Sequence, residues 1–357
     1  MKIFNRIKLK KFFSAVLGLT LCFSMVLGLS GCVVLEKLGI LKPKEMSFSY
    51  TYTAGLGGYA VSKVENASGK IVIPEYYEIE GQLYPIVSIG DSVFKENKNI
   101  TEVEIPARVV RIGKGAFQNC TALTKVTFAE NCVLETLRQD SFRGCKLLEE
   151  FNMPSGVKTI ENNVFYGCHA LDNIVLPETL TSLGGSAFYE CKSLTEIEIP
   201  ASVPVINSWT FRNCDSLISV YFAEGSVCSA INDYAFRQCG SLTSIIIPSA
   251  VKHIGTYSFY ACDDLEFVQF GSPDDFDYSQ LENINNSAFS ECYSLSIINL
   301  PATLKTIGSP FHACSSLSTI MYEGTVEEWG KVSKSSTWNN GAPAVYLYCF
   351  GGSIQLR

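Results

Sequence analysis

Ile112-Gly113-Lys114-Gly115-Ala116-Phe117-Gln118-Asn119-Cys120-Thr121-Ala122-Leu123-Thr124-Lys125-Val126-Thr127-Phe128 is one copy of a phrase that recurs along most of this chain. The same order of residue types returns at Ile254-Gly255, Phe259, Cys262, Leu265, Val268 and Phe270. Ten copies lie between Ile89 and Tyr322, most of them 23 residues apart, as from Phe94 to Phe117 and from Phe165 to Phe188. Self-similarity at a period of about 20–50 residues marks a solenoid, whose units bury their apolar rows only by stacking. Such a stack offers a long surface rather than a deep pocket, so the sequence points to binding before chemistry.

Reading outward from the quoted copy, the columns are Phe, then Cys three residues on, then Leu or Ile three further. Phe94, Phe117, Phe142, Phe165, Phe188, Phe211, Phe236, Phe259, Phe289 and Phe311 fill the first without exception. Asn97 alone replaces Cys in the second. A three-residue period predicts a tight helical or 3₁₀ turn. The spacing then drops to two, as in Val103 and Ile105 or Ile245 and Ile247, and Pro often follows. That predicts a short strand ended by a residue that cannot donate to a ladder. Gly or Asn follows the first Ile or Leu in eight copies, among them Gly113, Gly184, Asn207 and Gly255; Arg138 and Glu161 depart. Because these residues tolerate positive φ, a sharp corner is expected there. The fold class is an α/β solenoid of about ten coils of 22–30 residues. Each coil has one short parallel strand and one short helical or 3₁₀ turn.

The first 31 residues read as a secretory signal: a basic start (Lys2, Arg6, Lys8, Lys10, Lys11), an apolar run from Phe12 to Leu29, and then Leu29-Ser30-Gly31-Cys32. An uncleaved membrane anchor is the alternative, since the run nearly spans a bilayer. Leu-Ser-Gly-Cys resembles the bacterial lipobox, which implies cleavage before Cys32, lipidation of that residue and an extracytoplasmic, lipid-anchored protein. Removing the signal takes five basic and no acidic residues, leaving 23 basic against 35 acidic, a net of −12. That balance excludes a basic stripe for nucleic acid.

Fourteen cysteines in an exported chain would ordinarily suggest disulfides. Here nine share one repeat column with parallel Cβ vectors and an odd count, so they read as buried reduced thiols. No C-x-x-C pair supports zinc. Cys132, Cys228 and Cys349 stand outside the column, and the first two read as loop thiols of the 25-residue copies.

Ala116-Phe117-Gln118-Asn119-Cys120-Thr121-Ala122-Leu123, with I-x-I-P to follow elsewhere, resembles the BspA-like leucine-rich repeat proteins of bacterial surfaces. Ile71-Val72-Ile73-Pro74 fits the family's entry segment; Glu328-Trp329, Trp338 and Cys349 fit its exit. The resemblance spans about residues 48–352. It implies a leucine-rich-repeat solenoid and adhesion to host matrix proteins or other microbes, though fold alone does not fix function. The layout expected is signal 1–31, lipidated Cys and tether 32–46, N-terminal cap 47–88, repeats 89–322 and C-terminal cap 323–357.

Outward positions flank and separate the two strand columns. They run from acidic (Glu102, Glu104, Glu196, Glu198) to apolar, and Tyr221, Ile246, Phe267, Ile297 and Met321 form a candidate ligand-binding stripe. The alternative is that they pack on one another as strand-face ladders. The copy after Phe270 carries an acidic insertion, 271–282, where Asp274, Asp275, Asp277 and Glu282 could hold calcium, although without EF-hand spacing. His169, His253 and His312 fall in different coils, and no nucleophile elbow, Walker or zinc-protease motif occurs. The chain is therefore expected to be a non-enzyme without metal or cofactor. Its expected partner is a host extracellular or microbial surface protein. The other reading is a glycan- or nutrient-capturing surface lipoprotein working with a transporter.

Overall fold

A computed structural model describes residues 45–271 and 279–356. The expected signal, Cys32, most of the tether, and Asp274, Asp275 and Asp277 lie outside the described residues. The chain divides into two units, 1–47 and 48–357; the second is the solenoid.

Every full coil but one contributes to two parallel sheets rather than one. The V-x-I segments form the first: Gly69–Val72, Ile100–Ile105, Lys125–Phe128 and Glu150–Phe151 pair in succession. After a coil at 173–176 with no assigned strand, Glu196–Ile199, Ser219–Phe222, Ser244–Ile247 and Phe267–Phe270 continue it. Ile297–Leu300, Thr319–Thr325 and Tyr346–Phe350 follow, closed by the antiparallel strand Gly352–Gln355. The second sheet opens on the longer strands Ser47–Thr53, Gly58–Glu65 and Gln82–Ile89 and continues in two-residue strands. Arg111–Ile112, Thr136–Leu137, Thr159–Ile160 and Ser182–Leu183 pair in one run, Val205–Ile206 to Ser333–Lys334 in another. The break between the runs has a local cause. Lys158 N–H donates to Glu135 and Thr181 N–H to Lys158, but the next position in that series is Pro204, which has no N–H to give.

The third side of the coil corrects the helical-turn expectation. Cys120 N–H does bond back to Phe117 C=O (3.1 Å), the i→i+3 pattern of a 3₁₀ turn. Yet residues two before and two after the column Phe are left-handed in every coil but the last, where only Ala313 is; examples are Gly115 (φ 57°) and Asn119 (φ 60°) or Ser186 (φ 55°) and Glu190 (φ 57°). This alternation turns every second amide along the stack axis, where Phe117 N–H meets Ser141 C=O (2.7 Å) and Asn119 N–H meets Arg143 C=O (2.7 Å). A helix would keep those amides within one coil, so bonding between coils displaces helix here. Among the described residues the only α-helix is Val326–Lys331 and the only 3₁₀ helix is Ala54–Leu56. None is long and apolar enough to cross a membrane.

The corner glycines are also corrected. Gly113, Gly184 and Gly255 do not have positive φ. They are small because backbone of the preceding coil passes over them: an added Cβ would lie 2.6 Å from Gly90 C, 2.4 Å from Glu161 C and 2.5 Å from Asn232 C respectively. Where Asn207 stands instead, its side chain donates to the Leu183 carbonyl (2.7 Å).

Inside, the Phe column is buried throughout and stacked ring on ring, from 4.8 Å between Phe94 and Phe117 to 6.1 Å between Phe289 and Phe311. Offset stacking contributes beyond simple area burial. The ends are closed by aromatics. Tyr50, Tyr59 and Tyr77 cluster at one end. At the other, Trp329 packs edge-on against Tyr322 and Trp338, on a helix whose Thr325 and Glu328 form a capping box.

Candidate binding surface

Alternation along the first sheet sets what can be touched. In Glu196–Ile199, Ser244–Ile247 and Ile297–Leu300 the second and fourth residues are buried and the first and third exposed. Two outward rows result. In the N-terminal coils they are mostly charged or polar, with Val72 and Val175 as exposed exceptions, and partly self-neutralised: Lys70 pairs with Glu104 (2.6 Å) and Lys125 with Glu150. Toward the C-terminus they become apolar.

All five residues of the expected stripe are exposed, from 38% at Met321 to 55% at Tyr221. They do not lie in one line. Tyr221 and Ile246 occupy the inner row, Phe267 and Ile297 the outer, and Met321 the inner again, as the pairings Ser244↔Phe267, Ile246↔Gln269 and Asn299↔Met321 show. Gln269 and Asn299 interrupt the inner row and are tied by hydrogen bonds to Gly271 C=O (3.0 Å) and Glu323 (2.8 Å). Two apolar areas remain. In one, Tyr221 and Ile246 line a groove of about 420 Å³ walled by Glu224, Gly225 and Ser226, in the turn that the 25-residue coil lengthens. In the other, Met321 pairs with Tyr348, and the exposed Tyr346 and Phe350 lie on the same strand. Sequence reading missed these three tyrosine and phenylalanine positions by assigning residues 323–357 to the cap. Their alternate spacing was the available signal.

The turn side carries a second surface that column reading passed over. From Phe142 to Phe259 the position after the column Phe reads Arg143, Tyr166, Tyr189, Arg212, Arg237 and Tyr260; the position two before it reads Trp209, Tyr234 and Tyr257 in three of these coils. Tyr166 stacks on Tyr189 (4.5 Å), Trp209 on Tyr234 (4.6 Å) and Tyr234 on Tyr257 (5.3 Å). Arg143 lies 4.5 Å from the Tyr166 centroid and Arg212 the same distance from Trp209. Partly buried cation–π pairs of this kind are worth about 0.5–2 kcal/mol each.

The remaining candidates are structural. Every column thiol is free and buried, and donates to the Phe carbonyl of the coil before, as Cys191 does to Phe165 (3.2 Å) and Cys314 to Phe289 (2.9 Å). Burial pushes the Cys120 and Cys314 thiols up to about 12. Cys228 is no loop thiol: it is buried in the core, with Sγ 3.5 Å from Ala230 C=O. Cys132 and Cys349 are half-buried. Glu282, offered for calcium, pairs with Lys305 (2.8 Å), whose hydrogen bond lowers its pKa. Among the described residues no group of His, Cys, Asp and Glu is arranged to hold a metal ion. His169 lies 3.8 Å from Glu190, and His253 Nδ1 is 2.7 Å from Asn283 Nδ2; neither contact includes a nucleophile.

Two parallel sheets per turn, a continuous aromatic core and a repeated turn define a leucine-rich-repeat solenoid. The chain belongs to the BspA type leucine rich repeat region family, which matches residues 87–218, 135–266 and 229–339, with six copies of the repeat. Among solved structures it is similar to a leucine-rich repeat protein from Bacteroides ovatus, at 23% identity over 85% of this chain and 98% of that one, with a TM-score of 0.53. A leucine rich cell surface protein from Faecalibacterium prausnitzii is 25% identical over 81% of this chain and 97% of that one, TM-score 0.45. The T. pallidum leucine rich repeat protein is 23% identical over 61% and 87%, TM-score 0.48. No curated protein matches the chain.

Proposed function

We propose that this protein is a non-enzymatic, lipid-anchored surface module whose C-terminal strand face binds a protein of the host extracellular matrix or of another microbe. The observation that carries this reading is the exposure of Tyr221 and Ile246 along one groove, with the exposed Phe267 on the outer row of the neighbouring strand. Aromatics on a rigid scaffold bury large area with little ordering cost, which is what an interface core requires. The F. prausnitzii relative is described as a cell surface protein, and that description fits the leader and Cys32 read from this sequence. The test is capture of fibronectin, fibrinogen, collagen and mucin on immobilised protein. The double variant Tyr221→Ser, Phe267→Ser should lose capture with its melting temperature unchanged. Capture that survives the double variant rejects the strand face. Metabolic labelling with a tagged fatty acid should mark the parent protein and not Cys32→Ser, and a parent that takes up no label rejects the lipid anchor.

A further inference from the structure

The turn-side ladder stops abruptly, and both of its rows stop in the same coil. Ser287 stands where the preceding coil has Tyr257, and Ser290 where it has Tyr260; His312 resumes the outer row one coil later. The missing rings leave a notch of about 420 Å³ bounded by Tyr257, Tyr260, Arg237, Glu291 and His312. That volume falls within the roughly 300–1,000 Å³ typical of small-molecule sites.

The walls and the rim of the notch differ in chemistry. Tyr234 stacks on one face of Tyr257 at 5.3 Å and 13°, and Tyr260 meets Tyr257 edge to face at 5.4 Å and 69°; the next position along the row is only Ser287, so no further ring of that row stacks on Tyr257. The Arg237 guanidinium lies 4.8 Å from the Tyr260 centroid on the preceding-coil side. At the rim, the Tyr260 hydroxyl donates to Glu291 (2.5 Å). Arg237 Nε is buried with no hydrogen-bond partner among the described residues.

We propose that this notch binds one saccharide ring, seated where the next ring of the ladder would stand. A pyranose has apolar C–H faces suited to the open side of Tyr257. Its hydroxyl rim can donate to Glu291 and accept from Arg237 and His312, the combination of apolar wall and few fixed polar groups that orients small ligands. A flat aromatic ligand would match the wall but leave those rim groups unpaired. The site is separate from the strand face proposed for protein capture and does not depend on it.

The experiment titrates the protein with the methyl glycosides of glucose, galactose, mannose and N-acetylglucosamine, read by tyrosine fluorescence and by saturation-transfer NMR. At least one glycoside should bind saturably with its ring protons saturated. Ser287→Trp should fill the notch and weaken that binding by at least about tenfold, which is about 1.4 kcal/mol. Its melting temperature should hold or rise, because Trp209, Tyr234 and Tyr257 already occupy the same left-handed position. Glu291→Ala, at the rim, should weaken binding in the same direction without extending the ladder. The proposal is overturned if no glycoside binds at about 20 mM, if Ser287→Trp folds and binds as before, or if p-cresol binds in the notch and the glycosides do not.

Discussion

A column cysteine meets two demands at once: it must be small enough for the core, and it must offer a proton to the carbonyl of the Phe one coil earlier. The first copy supports this reading, because Asn97 replaces the thiol there and its amide donates to Ala67 C=O (3.0 Å). Nine buried neutral thiols also make stability depend on alkaline pH. Their folded pKa values are raised, as at Cys120 and Cys314 to about 12, above the ordinary 9.0. The folded state therefore holds these protons after the unfolded chain has released them, and stability present below pH 9 is lost as pH rises toward 12. Each thiol contributes up to about 1.4 kcal/mol per pH unit in that window. Urea unfolding at pH 8, 9 and 10 should show a steep fall, made shallower by Cys191→Ala; equal slopes in the two proteins would contradict it. Glycine offers a second check. Gly184→Ala places a Cβ 2.4 Å from Glu161 C and should destabilise by about 1–3 kcal/mol. Gly240→Ala meets nothing within 4 Å and should stay within about 0.5 kcal/mol of the parent in the same denaturation assay.

Within one coil, the aromatic row and the two ladders hold each other in register. Phe188 is fully buried and stacks on Phe165 (5.4 Å) and Phe211 (5.5 Å), so Phe188→Ala removes contacts to both neighbouring coils. A loss of about 3–5 kcal/mol is expected by calorimetry or denaturant titration; a near-neutral result would mean the rings do not share one interior. The V-x-I strand and the Phe, Cys and Leu columns were legible because each recurs with a fixed period. The second ladder was not. A pair such as Thr159–Ile160 supplies one buried residue per copy, and a two-residue strand has no alternation to detect. The turn was misread for a different reason: Phe-x-x-Cys spacing fits a 3₁₀ turn, but the left-handed residue between them is Asn119 in one coil, Glu190 in another and Ala261 in a third. No residue type marks that position, because bonds between coils rather than local preference hold it there. The turn-side ladder escaped notice because its rows exchange Arg, Tyr and Trp freely.

Across the whole solenoid, the strand face divides into a charged N-terminal part and an apolar C-terminal part, and the division predicts how capture will respond to salt. The acidic residues of the first part are exposed and already paired in places with Lys70 and Lys125, so any attraction they offer a basic partner acts through water. Such attraction fades as the Debye length shrinks from roughly 10 Å at 0.1 M salt to about 3 Å at 1 M. Burial of Tyr221, Ile246, Phe267 and Tyr348 carries no such dependence, because the driving force is removal of apolar surface from water. Capture of the proposed protein partner should therefore change by less than about threefold between 0.1 and 0.5 M NaCl, which corresponds to less than about 0.7 kcal/mol. It should also leave a negative heat-capacity change in calorimetry. Affinity falling tenfold or more over that range would place the partner on the acidic coils, and Glu102→Gln with Glu196→Gln, rather than the Tyr221 variant, would then be the substitutions that abolish it.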